Sequence, residues 1–349
     1  MQFVYAQEVL TLPYEASGLT EEQKAMNPDR LAYPTELKET IKNEVSFECT
    51  PQVVELGPFS VSATKKVMFS PGNLQFNAMK GTHQCADGTT QQGTWRFAEH
   101  QWDYVGDATN GNVYEGENKC DNTQINATYN GWIDFFGWGT SGWKSGANAY
   151  KPYETSQSYK DYYPGGYDNT DLIGSYANAD WGIYNQIVDA PPGTWRTLTS
   201  EEWEYLFHGR KDAEKLFGLG TVNGVQGTII LPDDWKTPSD VTFTPSTDKG
   251  LVWKDTYYTN SNKDNYSHNV YTVAQWEKME SGGAVFLPAA GFRRGEVIHF
   301  ASTDGYYWSS AHRSSDRVFL LNFSEYIFSP RGYSTHNHGY SVRLVSDVK

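Results

Sequence analysis

The chain has 349 residues and a formal net charge of −14, and only 38% of its residues are hydrophobic. This charge argues against a protein that binds nucleic acid, because the phosphates would be repelled. The 12 Trp, 24 Tyr and 17 Phe can build a core despite the few aliphatic residues, and the 32 Gly predict many turns and little helix. No stretch of the sequence approaches the length of a transmembrane span.

Residues 1–56 are expected to form an N-terminal arm. Thr20 and Gln23 have the spacing of a capping box at the start of a short helix, and Pro34 precedes a second one. The segment is too short and polar to bury its own core, so we expect it to dock on a larger assembly or a second copy. A flexible leader is the alternative. The N-terminus lacks the basic residues that begin a signal peptide.

Residues 57–349 are expected to form the main domain. Val61, Ala63, Val67 and Phe69 alternate with polar residues, which predicts strands at its start. Two Trp- and Gly-rich clusters follow, and such clusters pack in cores more often than they bind ligands. The next segment is long, polar and rich in tyrosine, which predicts a loop that packs on its own rings or serves a function. These three segments are residues 93–106, 131–143 and 144–190.

A helix is predicted at the sequence TLTSEEWEYLFHG. Thr199 and Glu202 form a capping box at its start. Trp203, Leu206 and Phe207 share one face, which should seat the helix against a sheet.

Three more elements are predicted downstream of that helix, which Gly209 should end. Residues 212–220 should form a helical turn closed by Gly218, and residues 272–283 a short helix. Residues 284–295 should form a buried strand that runs into a turn.

Residues 191–210, PPGTWRTLTSEEWEYLFHGR, resemble the strand-to-helix signature of the formylglycine-generating-enzyme branch of the C-type lectin fold. The later segments GGAVFLPAAGFRRG, DGYYWSSAH, FLLNFS and GYSVRLV occur in the order found in C-type-lectin-fold proteins. Those include surface proteins of gut Bacteroidetes and the variable proteins of diversity-generating retroelements. The resemblance covers roughly residues 57–346 and implies an α+β C-type lectin fold with long aromatic and Gly-rich loop insertions. The framework residues that it implies are Trp195, Trp203, Trp308 and Arg343.

Enzymes of that branch oxidise a substrate cysteine with cysteines of their own that lie late in the domain. This chain has Cys49, Cys85 and Cys120 and none after them. The resemblance therefore implies a retained scaffold without the enzyme's chemistry. A bridge between Cys85 and Cys120 that leaves Cys49 as a lone thiol, and three unpaired thiols, both remain open.

The last part of the chain supplies the predicted ligand-binding residues. Tyr, Ser, Asn and Arg, the mixture that antibody paratopes use, are concentrated in residues 299–340, where Lys is absent. We expect these residues to form one exposed face, and ordinary polar loop residues are the alternative. The predicted site consists of His299, Ser302, Tyr306, His312, Arg313, Ser314, Asp316, Arg317, Ser324, Tyr326, Arg331, Tyr333, His336, Asn337 and His338.

No metal, cofactor or catalytic pair is expected. His336 and His338 could hold a zinc ion only with further ligands, and His312 is the candidate for a third. Two histidines at a spacing of two are too few to predict a zinc site when the position of a third ligand is not known. The short motifs of calcium-dependent lectins are missing from this region. Nothing in the sequence brings together Asp304, Asp316 and Glu325 as the carboxylate pair of a glycosidase.

The resemblance implies a non-enzymatic receptor-binding protein at the tail tip or fibre of a phage virion. Its partners would be a host cell-surface protein or glycan and, through the arm, other tail proteins. Assembly as a homotrimer, with avidity from several weak contacts, is implied by analogy. A bacterial cell-surface adhesin or pilus-tip protein is the alternative, and a formylglycine-type oxidoreductase is less favoured.

Overall fold

The computed structural model describes residues 57–105, 125–143, 151–162, 171–261 and 264–349. The predicted arm, residues 1–56, lies outside these ranges, as do Cys49 and Cys120. Cys85 is buried. Because Cys120 lies outside the described residues, a bridge between the two stays a prediction. Within the described ranges, no helix has the length and hydropathy needed to cross a membrane.

The fold is β-rich, and the prediction of an α+β C-type lectin fold is wrong. Strands account for 38% and helices for 16% of the described residues, and the strands form several small sheets. The predicted helix after Thr199 does form, but it is short, with about one and a half α-helical turns. Aromatic side chains and close glycine contacts instead hold many short strands together.

The strands are β1 (Phe59–Ser60), β2 (Lys66–Phe69), β3 (Leu74–Gln84), β4 (Thr90–Phe97), β5 (Phe217–Val222), β6 (Val225–Ile230), β7 (Leu251–Lys254), β8 (Tyr257–Asn260), β9 (Val270–Tyr271), β10 (Val285–Pro288), β11 (Phe292–Arg294), β12 (Val297–His299), β13 (Gly305–Ser314), β14 (Arg317–Phe323), β15 (Ile327–Thr335), β16 (His338–Gly339) and β17 (Val345–Asp347). The α-helices are α1 (Trp181–Tyr184), α2 (Ser200–Glu204) and α3 (Val273–Ser281). A π-helical turn spans Tyr205–Gly209, and 3-10 turns span Tyr159–Tyr162, Gly174–Ala179, Ala213–Lys215 and Ser246–Lys249.

The largest sheet has the strand order β13-β14-β15-β8-β7 and is antiparallel. A four-stranded sheet has the order β10-β6-β5-β9, in which β5 and β9 run parallel. Two three-stranded sheets have the orders β1-β2-β17 and β12-β11-β16, and β3 and β4 form a hairpin.

The five-stranded sheet separates the two largest apolar clusters. Tyr307 and Trp308 are consecutive on β13 and therefore point to opposite faces. Tyr307 packs in the cluster that contains Trp203 of α2. Trp308 packs in the other, with Trp138 from the second Trp- and Gly-rich segment. The prediction that these aromatic segments pack in the core is confirmed.

The capping box at the start of α2 is confirmed. Thr199 Oγ1 accepts a hydrogen bond from the Glu202 N–H at 3.2 Å, and a Glu202 carboxylate oxygen accepts one from the Thr199 N–H at 3.0 Å. Trp203, Leu206 and Phe207 are fully buried, as their common face predicted. The α-helical hydrogen bonds stop at Glu204, and the chain continues as the π-helical turn that ends at Gly209.

The other local predictions have mixed outcomes. The predicted short helix and buried strand are confirmed as α3 and β10, and all of β10 is buried. A capping box of Thr272 and Gln275, which was not predicted, precedes α3. The predicted stop at Gly218 is wrong, because the helical turn ends at Lys215 and Gly218 lies inside β5. Its place in the strand has a packing reason: a Cβ there would lie 2.9 Å from the carbonyl oxygen of Thr244.

The segment predicted as a long loop, residues 144–190, is described only in part. Residues 171–190 contain a 3-10 turn and α1, whose start is capped by Asp180. Of the strand positions predicted at the domain's start, Val67 and Phe69 lie in β2, whereas Val61 and Ala63 precede it in a turn.

Candidate functional site

The fifteen predicted site residues do not form one face. One group lies around the β13–β14 turn and on the adjoining part of β15: Arg313, Ser314, Asp316, Arg317, Arg331 and Tyr333. A second lies at the β14–β15 turn: Ser324 and Tyr326. A third is associated with the small sheet β12-β11-β16: His299, Ser302, Tyr306 and His338. The remaining three, His312, His336 and Asn337, are packed against the interior.

The first group contains an ordered aromatic and cationic surface, named here the arginine–tyrosine face: Arg313, Phe319, Arg331 and Tyr333. Phe319 and Tyr333 are directly opposite on β14 and β15, so their side chains lie side by side. The guanidinium carbon of Arg313 lies 3.4 Å from the centroid of the Tyr333 ring. That of Arg331 lies 5.0 Å from the centroid of the Phe319 ring. Both are cation–π contacts.

The helix α2 holds one edge of the arginine–tyrosine face. Arg331 Nη1 lies 3.1 Å from Glu204 Oε2, and Arg331 Nη2 lies 3.5 Å from Glu201 Oε1. The Tyr333 side is open to solvent, with 51% of that residue exposed. The face is therefore a flat, half-exposed surface whose arginines already have defined positions.

The charge of this part of the chain differs from that of the whole. Residues 279–348 contain six Arg, six Asp or Glu and no Lys, so their formal charge is zero in a chain of −14. This part of the chain therefore repels an acidic partner less than the rest of the protein does.

The predicted exposure of three site residues is wrong. His336 is fully buried, and Ser324 and Asn337 are less than one-tenth exposed. Asn337 Nδ2 donates to the carbonyl oxygen of Gln157 at 2.7 Å, which fixes it as a structural residue. These side chains cannot meet a ligand at the surface.

His312 and His336 stack on each other, and both rings contact the Trp138 indole at a tilt. Their ring centroids are 5.7 Å apart, and the His336 ring lies 5.2 Å from that of Trp138. Burial, followed by the nearby charge of His312, lowers the pKa of His336 to about 3. Burial likewise lowers the pKa of His312. In the part of the chain that the structure describes, no group of three His, Cys, Asp or Glu residues is arranged to hold a metal ion.

Tyr326 belongs to a different end of the sheet. It is 75% exposed at the β14–β15 turn, whereas Arg313 lies near the β13–β14 turn. The strand β14 between these turns has 7 residues. At ~3.3 Å per residue it separates the two ends by about 20 Å, too far for one small ligand.

Two contributors to the arginine–tyrosine face were missed in the sequence, Phe319 and α2. Phe319 lies between Val318 and Leu320, which pack on one face of the sheet, so period-2 alternation alone places it on the opposite face. Nothing in the sequence places Glu201 and Glu204 beside Arg331, because they are more than a hundred residues away along the chain.

The comparisons with known proteins add no relative. No protein-family model matches the chain, and no curated protein and no solved structure matches it. A proposal for the function therefore has to come from the described surfaces. The arginine–tyrosine face is one on which the arginine side chains have defined contacts.

Proposed function

We propose that this is a non-enzymatic receptor-binding protein that uses the arginine–tyrosine face to contact a protein on a cell surface. The observation that carries the proposal is the half-exposed Tyr333 ring beneath the Arg313 guanidinium, next to Phe319 and Arg331. Tyr and Arg are the residues most enriched at the energetic centres of protein interfaces, and Lys is depleted there.

The preorganisation of the face supports binding. A flexible arginine loses side-chain freedom when a partner immobilises it, which costs affinity. Arg331 is already held by Glu201 and Glu204, and Arg313 by the Tyr333 ring. Less of the interaction free energy is then lost to ordering these groups.

The setting that we propose is the tail tip or fibre of a phage virion, with residues 1–56 contacting other tail proteins. Its support is the order of the later segments, which resembles that in retroelement variable proteins, together with the resemblance of residues 191–210 to the formylglycine-generating-enzyme branch. A bacterial adhesin or pilus-tip protein is the second setting. A reverse transcriptase gene and a near-copy of the final coding segment nearby would favour the phage, and an encoded export signal the adhesin.

The test is binding of fluorescently labelled protein to a panel of gut bacterial strains. We expect at least one strain to be bound, and Arg313→Ala and Tyr333→Ala each to weaken binding at least about tenfold, or ~1.4 kcal/mol. Tyr326→Ala is the matched control, since it removes an exposed tyrosine at the other end of the sheet. Protease treatment of the cells should abolish binding, because the proposed ligand is a protein.

Three outcomes would refute this proposal: no strain is bound, both face variants bind as the wild type does, or the Tyr326 variant loses as much binding as they do. Thermal unfolding of each variant shows that the fold is retained. Bound copper with thiol ligands, or turnover of a cysteine-containing peptide, would instead support the oxidoreductase.

A further inference from the structure

A second cluster of rings lies beside the small sheet β12-β11-β16. Phe292 is its centre, and its ring centroid lies 5.2 Å from that of His299, 4.9 Å from that of His338 and 5.5 Å from that of Tyr306. Phe300 adds a further ring, 5.9 Å from Phe292. These five residues are named here the ring shelf.

The ring shelf and the arginine–tyrosine face lie on opposite sides of the five-stranded sheet. On β14, Leu320 and Phe319 point to opposite faces because they are consecutive. Phe292 and Tyr306 pack against the apolar cluster that contains Leu320. Phe319 instead contacts the arginines of the other face. The two surfaces can therefore act independently.

The register of the small sheet places a cation beside the rings. Phe292 is opposite His299, and Arg294 is opposite His338. Residues 292 and 294 point to the same face of their strand, since side chains alternate with a period of two. Arg294 is exposed, so the register places a cationic residue on the face of β11 that carries Phe292.

Phe300 is exposed to solvent although its side chain is apolar, and its backbone is left-handed although its side chain is bulky. It is 59% exposed, and its φ of +56° lies in the left-handed region that bulky residues avoid. The turn is fixed by hydrogen bonds from the Thr303 and Asp304 N–H groups to the Phe300 carbonyl oxygen, at 3.2 and 3.1 Å. A large ring kept outside by a well-bonded, strained turn is the kind of outlier that marks a contact surface.

The polar groups around the rings include both donors and acceptors. Asp304 Oδ2 accepts a hydrogen bond from the Tyr306 hydroxyl at 3.0 Å, and Arg294 supplies donors. Burial, followed by the nearby charges of Arg294, His299 and Arg317, lowers the pKa of His338 to about 4. His338 is therefore a neutral imidazole at neutral pH, and because its Nδ1 lies 3.0 Å from the Tyr340 hydroxyl and 3.2 Å from the Ser334 hydroxyl, Nε2 is the nitrogen left for a ligand.

We infer that the ring shelf binds a neutral pyranose residue of a glycan. The C–H face of a pyranose can pack on the electron-rich face of an aromatic ring. Its hydroxyls each donate and accept, which suits a rim that contains Asp304, Arg294 and His338. The carboxylate of Asp304, which accepts a hydrogen bond from Tyr306 of the ring shelf, disfavours an acidic sugar. This inference concerns a separate surface and stands whether or not the proposed function holds.

The experiment is saturation-transfer difference NMR on the whole protein with the methyl glycosides of glucose, galactose, mannose and N-acetylglucosamine. Each is used at about 10 mM, which suits a dissociation constant of ~1 mM. We expect one of them to receive saturation mainly on one face of its ring. Phe300→Ala should reduce that transfer about fivefold, as the loss of one aromatic contact predicts. Phe300→Trp should retain it.

The controls separate this site from the arginine–tyrosine face. Tyr333→Ala should leave the saturation transfer unchanged. Arg294→Ala should reduce the transfer, although this substitution removes no aromatic ring. Because Phe300 and Arg294 are exposed, their variants should stay folded, which thermal unfolding checks. The inference is overturned by absence of transfer to all four sugars, by equal transfer in Phe300→Ala, or by stronger transfer to methyl N-acetylneuraminide, an acidic sugar.

Discussion

The buried imidazole of His336 predicts how the stability of this protein depends on pH. Its pKa is lowered from 6.5 to about 3 in the folded protein, first by burial and then by the charge of His312. In the unfolded chain the imidazole returns to a pKa of about 6.5. Between these two values the unfolded state binds a proton that the folded state does not. The stabilisation is therefore fully present above the unfolded pKa and is lost as the pH falls towards the folded pKa.

The size of the effect follows from the two pKa values. At about pH 7.5 the imidazole is neutral in both states, so its protonation does not lower the free energy of unfolding. At about pH 5 it is protonated only in the unfolded state, which lowers the free energy of unfolding by about 2 kcal/mol. That is a substantial part of the ~5–15 kcal/mol stability of a typical domain.

The assay is urea unfolding of the wild type and of His336→Gln at about pH 7.5, 6 and 5. Gln has a similar size and does not titrate, so the variant loses packing against Trp138 but has no imidazole to protonate. We expect the stability advantage of the wild type to shrink by about 2 kcal/mol across this range. Carboxylates such as Glu202, whose pKa is lowered, are present in both proteins and cancel in the difference. Parallel pH profiles would refute the reasoning.

Three further comparisons test local parts of the structure in urea or thermal unfolding. Thr199→Ala should lower the free energy of unfolding by about 1 kcal/mol because the capping hydrogen bond is lost, whereas Thr199→Ser should retain it. Tyr306→Ala should lower the free energy of unfolding by about 3 kcal/mol, since its ring stacks on Tyr340 with the centroids 5.1 Å apart. Tyr326→Ala should lower it by less than about 0.5 kcal/mol. Equal losses of stability would contradict the different burial of the two tyrosines. Phe300→Gly should change stability by less than about 1 kcal/mol, because relief of the left-handed strain offsets the entropy of glycine, and a larger loss would place this ring in the core.

Local signals in the sequence predicted local structure well. The capping box at Thr199 was found because both of its partners lie within three residues, whereas the one at Thr272, which has the same spacing, was missed. The buried face of Trp203, Leu206 and Phe207 was found for the same reason, since spacing alone groups these side chains. Gly218 was misread as a helix stop because its reason for being glycine is the backbone of Thr244, a distant segment.

The candidate site was only partly predictable. The sequence correctly marked residues 299–340 as rich in Tyr, Arg and Ser, but it could not say which of them point outward. Three irregularities in the strand register change which face follows from simple alternation: between Trp308 and His312, between His312 and Ser314, and between Leu320 and Asn322. A phase shift of one residue moves a side chain from the surface to the core.

By itself, the sequence determined the composition of this protein, its short capped helices and the aromatic segments that enter its core. These depend on contacts within a few residues or on bulk apolar content. Only the tertiary structure decided that the strands assemble into several small sheets, that His336 is interior and that the ring shelf and the arginine–tyrosine face lie on opposite sides. The physical reason is that burial depends on which distant strand covers a residue, and a strand's own pattern does not name its partner.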